Sequence, residues 1–550
     1  MKISKKHTLL NSADQNLLHL LQQGRWGELW QYLLQQQPDS RDQCLYLFLL
    51  GAWWQQADLA LTRLSVQPTG DALTEFVRAY LLMCAGRSKE LTKAMAYLDR
   101  LAPNSWMSGW ISLEHLGRSG NYEKQAIVFG KLVEYPWAYV ACLQSLDHFG
   151  ISPQYLLAKI STQNPQHPLA EILRARLELS SGQTEDAINR FDGAIEKTSD
   201  YQGVAAYYRL SARLAEGDVI SSMKAGDIAA RHFQIDKPMA DLWLCISLSL
   251  PAAWGSTPQR IKHLLTLAPE DKRFVGVLAS YALIWHWVMG QYSEAYAWAR
   301  QCPDFHQLPE NLKDINQQIY FKYILQLCVA WERTNNLYQL PPREVQILHV
   351  LGESHALAPS NAVFLWRGKL VHAKTHFAMG IKMWHLASEV KNHFRACFEA
   401  RLASIPAGSS VLITVGEIDC RPNGGIWVAA KKNRRDLAQM VDVTVEGYLS
   451  WLDDAISNKK FAEVTLQGIP APAYPLTGPF DPGDIPGFLD MIKLVNDRIK
   501  AAALYRGWSF LDVYAATVAE DGTSNRCWYI DGFHLHPAFY AEADKWRLVK

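Results

Sequence analysis

The stretch Val345-Gln346-Ile347-Leu348-His349-Val350-Leu351-Gly352-Glu353-Ser354-His355 decides how this chain reads. Residues 345–351 are apolar and β-branched in the manner of a buried strand, and Gly352 then begins a turn that presents a serine. Strand-like runs recur at 410–415, 464–469 and 508–514, with helical stretches at 389–403, 443–456 and 488–505. Strand–helix alternation with buried strands predicts a parallel sheet covered on both faces, a three-layer α/β/α domain. It would occupy residues 343–550, because Pro341-Pro342 cannot continue a helix and marks a boundary.

Upstream, residues 1–335 read almost entirely as helix. Apolar residues recur at three- and four-residue spacing, as in Leu17, Leu18, Leu20 and Leu21, then Trp26, Leu29, Trp30 and Leu33. Turn glycines at 24, 51, 86, 120, 150, 182, 217, 255 and 290 repeat about every 33 residues. Gly290-Gln291-Tyr292 leads to Ala295, and Gly182-Gln183-Thr184 leads to Ala187, Phe191 and Ala194. Glycine permits a positive φ at the turn, and alanine lets neighbouring helices approach. The pattern resembles tetratricopeptide repeats, which implies an N-terminal α-solenoid. Tryptophans such as Trp106, Trp110, Trp254, Trp285, Trp287 and Trp298 fit packing between repeats better than the lining of a concave groove. The expected fold class is thus α plus α/β.

Composition narrows the function. The 550 residues are 49% hydrophobic and 20% charged, the balance of a globular chain with sizeable cores. With 55 basic and 54 acidic side chains the net charge is +1, which lacks the basic footprint of a nucleic-acid or acidic-membrane binder. Met1 to Gln23 has lysines but no continuous apolar stretch, so no secretory signal and no membrane span are expected. Nine cysteines are scattered without a Cys-x-x-Cys pair, which reads as reduced thiols in a cytoplasmic protein. His372 and His376 have the i, i+4 spacing of helical metal sites, yet no glutamate of a zincin motif stands between them. With no cysteine cluster either, no metal is expected.

Chemistry should sit in the loops beyond the carboxyl ends of the strands. Ser354 lies in such a turn, where backbone N–H groups can face its Oγ. The last loop, Asp531-Gly532-Phe533-His534-Leu535-His536-Pro537, places a carboxylate and an imidazole three residues apart. The carboxylate can bond one ring nitrogen and aim the other at a serine. These two blocks resemble the SGNH (GDSL-type) hydrolases, which carry Gly-Asp-Ser after the first strand and Asp-x-x-His near the C-terminus. Gly352-Glu353-Ser354 differs by one acidic-for-acidic exchange, while Asp531 and His534 match directly.

The resemblance covers residues 343–550 and implies Ser354 as nucleophile, His534 as general base and Asp531 as its orienter. It also implies an oxyanion hole fed by a glycine after the second strand and an asparagine after the third. Gly380 fits the first. In Gly416-Glu417-Ile418-Asp419-Cys420-Arg421, Ile418 stands at the asparagine position. Arg421 either replaces the missing donor or pairs with Glu417 or Asp419. Gly380, Glu417, Asp419, Arg421 and His355 are therefore the candidate oxyanion and substrate contacts. Cys420 is a second possible nucleophile, although burial is the usual fate of a free cysteine. The basic run Lys431, Lys432, Arg434 and Arg435 reads as a solvated face or as a contact for an anionic sugar or phosphate.

Bacterial proteins that join helical repeats to a divergent SGNH domain resemble this chain down to the Gly-Glu-Ile-Asp-Cys-Arg block. The resemblance implies a serine esterase or acyltransferase acting on acetylated carbohydrate, without a cofactor, whose repeats hold a protein or glycan acceptor. The rival expectation is a catalytically inactive scaffold. A role in modifying surface polysaccharide or flagellin glycans is a further alternative.

Overall fold

The computed structural model describes residues 57–64, 70–118, 168–197, 202–216, 237–267, 272–302, 315–333, 345–422, 425–476, 482–542 and 548–549, with a few isolated positions between. The chain divides into two compact units. The first comprises residues 1–212, 224–240 and 309–313; the second comprises 213–223, 241–308 and 314–550.

The described part of the first unit is built of helical hairpins whose geometry follows from single glycines. Helix Ala72–Cys84 turns into Ser88–Leu101 at Gly86, and Pro168–Ser180 turns into Thr184–Lys197 at Gly182. At the first turn, Gly86 N–H donates to Met83 O (3.2 Å) and Arg87 N–H to Leu82 O (3.0 Å). At the second, Gly182 N–H donates to Leu179 O (3.1 Å) and Gln183 N–H to Glu178 O (2.9 Å). This paired closure needs a left-handed residue, and the two glycines have φ of +70° and +81°. Phe191 and Ala187 are fully buried where the hairpin closes. Trp106 and Trp110 pack on Phe76, with ring centroids 5.3 and 5.6 Å away, so here aromatic rings fill a core. The expected turns at 24, 51, 120, 150 and 217 and the Pro341-Pro342 break lie outside the described residues.

The second unit repeats the device at Gly290 (φ +71°) between Lys272–Val288 and Tyr292–Gln301, whereas Gly255 has an ordinary right-handed φ of −65°. It then changes to alternating strands and helices. The strands are β1 (Gln346–Gly352), β2 (Val363–Trp366), β3 (Lys369–Phe377), β4 (Ser410–Thr414), β5 (Glu463–Gln467), β6 (Ser509–Leu511) and β7 (Leu548–Val549). They form one sheet in the order β2-β3-β1-β4-β5-β6-β7. The pairs from β3 through β6 are parallel, and β2 and β7 close the edges antiparallel. Side chains alternate between faces as strand geometry requires. Leu348, Val350 and Leu412 join one core with Phe539 and Tyr540, while Leu351, Val411 and Ile413 join another with Val445, Leu449 and Ile492. Both faces of the sheet are thus covered.

Three strands, β2, β3 and the two-residue β7, have no counterpart among the runs expected from sequence. β2 and β3 form a hairpin through Arg367 (φ +55°) and Gly368 (φ +70°), the two-residue turn that matches strand twist. Lysines and histidines interrupt β3, which hides its period. His372 and His376 therefore stand on a strand, so their i, i+4 spacing is not that of one helix face. Instead His376 Nε2 meets His349 Nδ1 of β1 at 2.8 Å, and its Nδ1 faces Ser404 Oγ at 3.3 Å.

Helices before the sheet belong to the same compact unit as the sheet. Trp287 Nε1 donates to Leu357 O (2.8 Å), and Asn361 Nδ2 donates to the carbonyls of Trp287 (3.1 Å) and Val288 (3.0 Å). Buried Arg401 donates to Ser249 O (2.9 Å) and Leu248 O (2.5 Å) with its guanidinium over Trp254. The change in sequence grammar near residue 340 is a change of element type, and the packed unit begins earlier. No helix among the described residues is long and apolar enough to cross a membrane.

The histidine pair links this core to pH. Burial, the neighbouring His349 and the charges of Arg401 and Lys374 push His376 down to about 3, and burial with Lys374 pushes His349 down to about 4. Below the ordinary histidine range the unfolded chain takes up protons that the folded chain refuses, so stability is present above that range and lost on acidification. Replacing His376 by Gln keeps a hydrogen-bonding group without the titration. Its melting temperature should fall less than the wild type's between about pH 7 and about pH 4.5; identical acid limbs would contradict the assignment.

Candidate active site

The sheet order explains why chemistry collects at one edge of β1. The chain leaves β1 toward β3 on one side and later returns to β4 on the other, so a crevice opens between the two strand ends. Gly352 sits where they come closest: a Cβ there would fall 2.3 Å from Thr414 O and nearer still to Thr414 Oγ1. Only glycine fits, and it delivers the chain directly into the 3-10 turn Ser354–Leu357.

Ser354 opens that turn and is 3% exposed. Its Oγ lies 2.9 Å from His534 Nε2, across 180 residues of sequence. His534 Nδ1 lies 2.7 Å from Asp531 Oδ2. The other carboxylate oxygen, Oδ1, accepts the N–H groups of Phe533 and His534, each at 2.7 Å, so the loop holds Asp531 before any substrate arrives. Burial alone would raise the Asp531 carboxyl, but the adjacent imidazole and these N–H bonds hold it below its usual range. The three residues singled out from sequence therefore meet in hydrogen-bonding order.

A fourth group crowds the serine. The buried Glu353 carboxylate accepts Ser354 N–H at 2.5 Å and also touches Ser354 Oγ. A hydroxyl has one proton, so Glu353 Oε2 and His534 Nε2 compete for it. With glutamate in place of the aspartate that the resemblance implies, the carboxylate folds back onto the N–H groups of Ser354 and His355.

The remaining candidates separate by geometry. Arg421 directs Nε to Glu417 (3.1 and 2.8 Å) and Nη2 to Glu417 Oε2 (2.6 Å), with its guanidinium face over Phe533 at 4.9 Å. Of the pairings open to it, this is the Glu417 one. Asp419 caps the helix Met383–Ala387, accepting Met383 N–H (2.7 Å) and Trp384 N–H (3.1 Å). Burial pushes its carboxyl up to about 6 against the pull of those two bonds. Gly380 turns the chain after β3 with φ +69°, at the same sheet end as Ser354. His355 is buried beside His534, ring centroids 5.3 Å apart. Cys420 is buried and its thiol is pushed far up by burial and by Asp419 and Glu417, which deprives it of thiolate character. Lys431 lies over Trp427 and pairs with Asp484 on an exposed face.

Two tyrosines at the site come from outside residues 343–550. Helix Ile315–Arg333 buries Tyr320 within electrostatic reach of Glu353 and Ser354 and stacks Tyr323 on His534, centroids 3.8 Å apart and planes within 11°. The available signal was their spacing. Tyrosines at i and i+3 share one face of an apolar helix, and buried aromatic rings with polar tips seek partners.

Among the described residues no three histidine, cysteine or carboxylate groups converge as metal ligands. The chain matches no family model and no curated protein.

The stacked ring makes Tyr323 a positioning residue for His534. In an ester-hydrolysis assay, Tyr323→Leu should lower kcat about 10- to 100-fold with KM nearly unchanged, and Tyr323→Phe should retain activity. A leucine variant with wild-type kcat would remove Tyr323 from this role.

Proposed function

We propose that this protein is a serine esterase or acyltransferase of the SGNH type. The observation that carries the reading is the Asp531–His534–Ser354 series of hydrogen bonds at 2.7 and 2.9 Å, placed at the carboxyl end of β1 where parallel sheets bind ligands. In this reading Asp531 holds the imidazole so that Nε2 accepts the serine proton, and Ser354 attacks an ester carbonyl to give an acyl-enzyme. Water or a sugar hydroxyl then takes the acyl group. Nothing in these steps requires a cofactor. Acetylated carbohydrate is the proposed substrate class, and the helical hairpins, read as tetratricopeptide-like repeats, would hold a protein or glycan acceptor in the cytoplasm. Modification of surface polysaccharide or flagellin glycans is the setting that suits such an arrangement.

A second reading, a scaffold without activity, is favoured by one observation: Glu353 occupies the Ser354 N–H that an oxyanion would need, while Ile418 offers no side-chain donor. A missing donor typically costs about 3 kcal/mol of transition-state stabilisation, which slows an esterase without abolishing it.

Hydrolysis of small acetyl esters distinguishes the two. Ser354→Ala should leave the melting curve intact and lower turnover by a factor on the order of 10³ or more. Equal turnover by wild type and the alanine variant would leave the scaffold.

A further inference from the structure

His355 follows the nucleophile on the same turn, and its imidazole is 2% exposed. Among the described residues, neither Nδ1 nor Nε2 finds a hydrogen-bond partner. A neutral imidazole offers one N–H donor and one acceptor, and a buried polar group left unmatched in this way destabilises the fold. Such groups persist where a ligand or a chemical step completes them.

The position indicates what would complete it. The ring centroid is 5.3 Å from that of His534, and the other charged groups acting on it are Glu353, Glu417 and Arg421. His355 thus lies beside the general base and within electrostatic reach of the loop that follows β4. That is the loop in which Ile418 stands where the resemblance implies an asparagine donor. Arg421, the rival replacement, has its Nε and Nη2 turned to Glu417 and its face to Phe533.

We propose that His355 supplies the missing donor, its imidazole N–H binding the carbonyl oxygen of the ester under attack. The assignment rests on the esterase reading and names a further catalytic residue within it. As Ser354 Oγ bonds to the carbonyl carbon, its proton passes to His534 Nε2 and the carbonyl π pair moves onto oxygen. The His355 N–H bond strengthens as that charge grows. Collapse re-forms the carbonyl and expels the alcohol, which takes its proton from His534. Burial holds His355 below the usual histidine range, so it acts as a neutral donor and adds no positive charge beside Arg421.

The test uses the full-length protein with p-nitrophenyl acetate, comparing wild type, Ser354→Ala, His355→Leu and His355→Gln, each with a melting curve. His355→Leu should lower kcat about 100-fold or more with KM within about threefold. Its melting temperature should be equal or higher, because an unmatched polar ring gives way to an apolar side chain. His355→Gln, which keeps an N–H donor, should recover about tenfold of the loss. His355→Phe replaces the leucine variant if that one does not fold. A leucine or phenylalanine variant with kcat within about threefold of wild type overturns the assignment. So does an equal loss in the leucine and glutamine variants accompanied by a lower melting temperature. Wild-type turnover equal to that of Ser354→Ala overturns the esterase reading, and the assignment with it.

Discussion

At Gly352 the ends of β1 and β4 approach so closely that a single methyl group would strike the Thr414 backbone. That contact fixes the local geometry of the site. It places Ser354 two residues after the strand, over the crevice where chain connections diverge, and it sets the 416–421 loop that follows β4 at the same end of the sheet. The long reach to His534 then needs only the last loop, whose carboxylate is already bound by its own backbone. A larger residue at 352 would part the strands before it disturbed any catalytic atom.

Around this point the protein buries an unusual density of ionisable groups: Glu353, His355, Glu417, Asp419 and His534 are each at most 6% exposed. Such a cluster is tolerable when nearly every member finds a partner, since an unmatched buried charge costs several kcal/mol. Glu417 is matched by Arg421, Asp419 by two N–H groups at a helix start, and Glu353 by the N–H groups of the serine turn. His534 is held at Nδ1 by Asp531, at Nε2 by Ser354 and on one ring face by Tyr323. The exception is the His355 ring, and an unmatched group within an otherwise satisfied network is where chemistry is expected.

Legibility of all this from sequence followed the strength of local patterns. β1 and β4 to β6 could be read because apolar and β-branched residues dominate strands buried on both faces. β3 could not, because Lys369, His372, Lys374 and His376 break its period. The Ser354, Asp531 and His534 grouping was readable because two of its members are three residues apart and the third follows a strand. The tyrosines of helix 315–333 were not, since their relevance depends on a packing contact between elements that no local pattern announces. Likewise, the back-folding of Glu353 onto the serine turn is a three-dimensional contact that an acidic-for-acidic exchange does not announce.

The central claim is that Ser354 is activated by His534 in spite of its burial and of the competing Glu353 carboxylate. Reaction of the full-length protein with a fluorophosphonate, followed by peptide mass mapping, tests it most directly, because an unactivated serine does not react on this timescale. The account predicts a stoichiometric adduct on the peptide containing Ser354, lost in His534→Ala. A protein that stays unlabelled, or one labelled equally with and without His534, would contradict it.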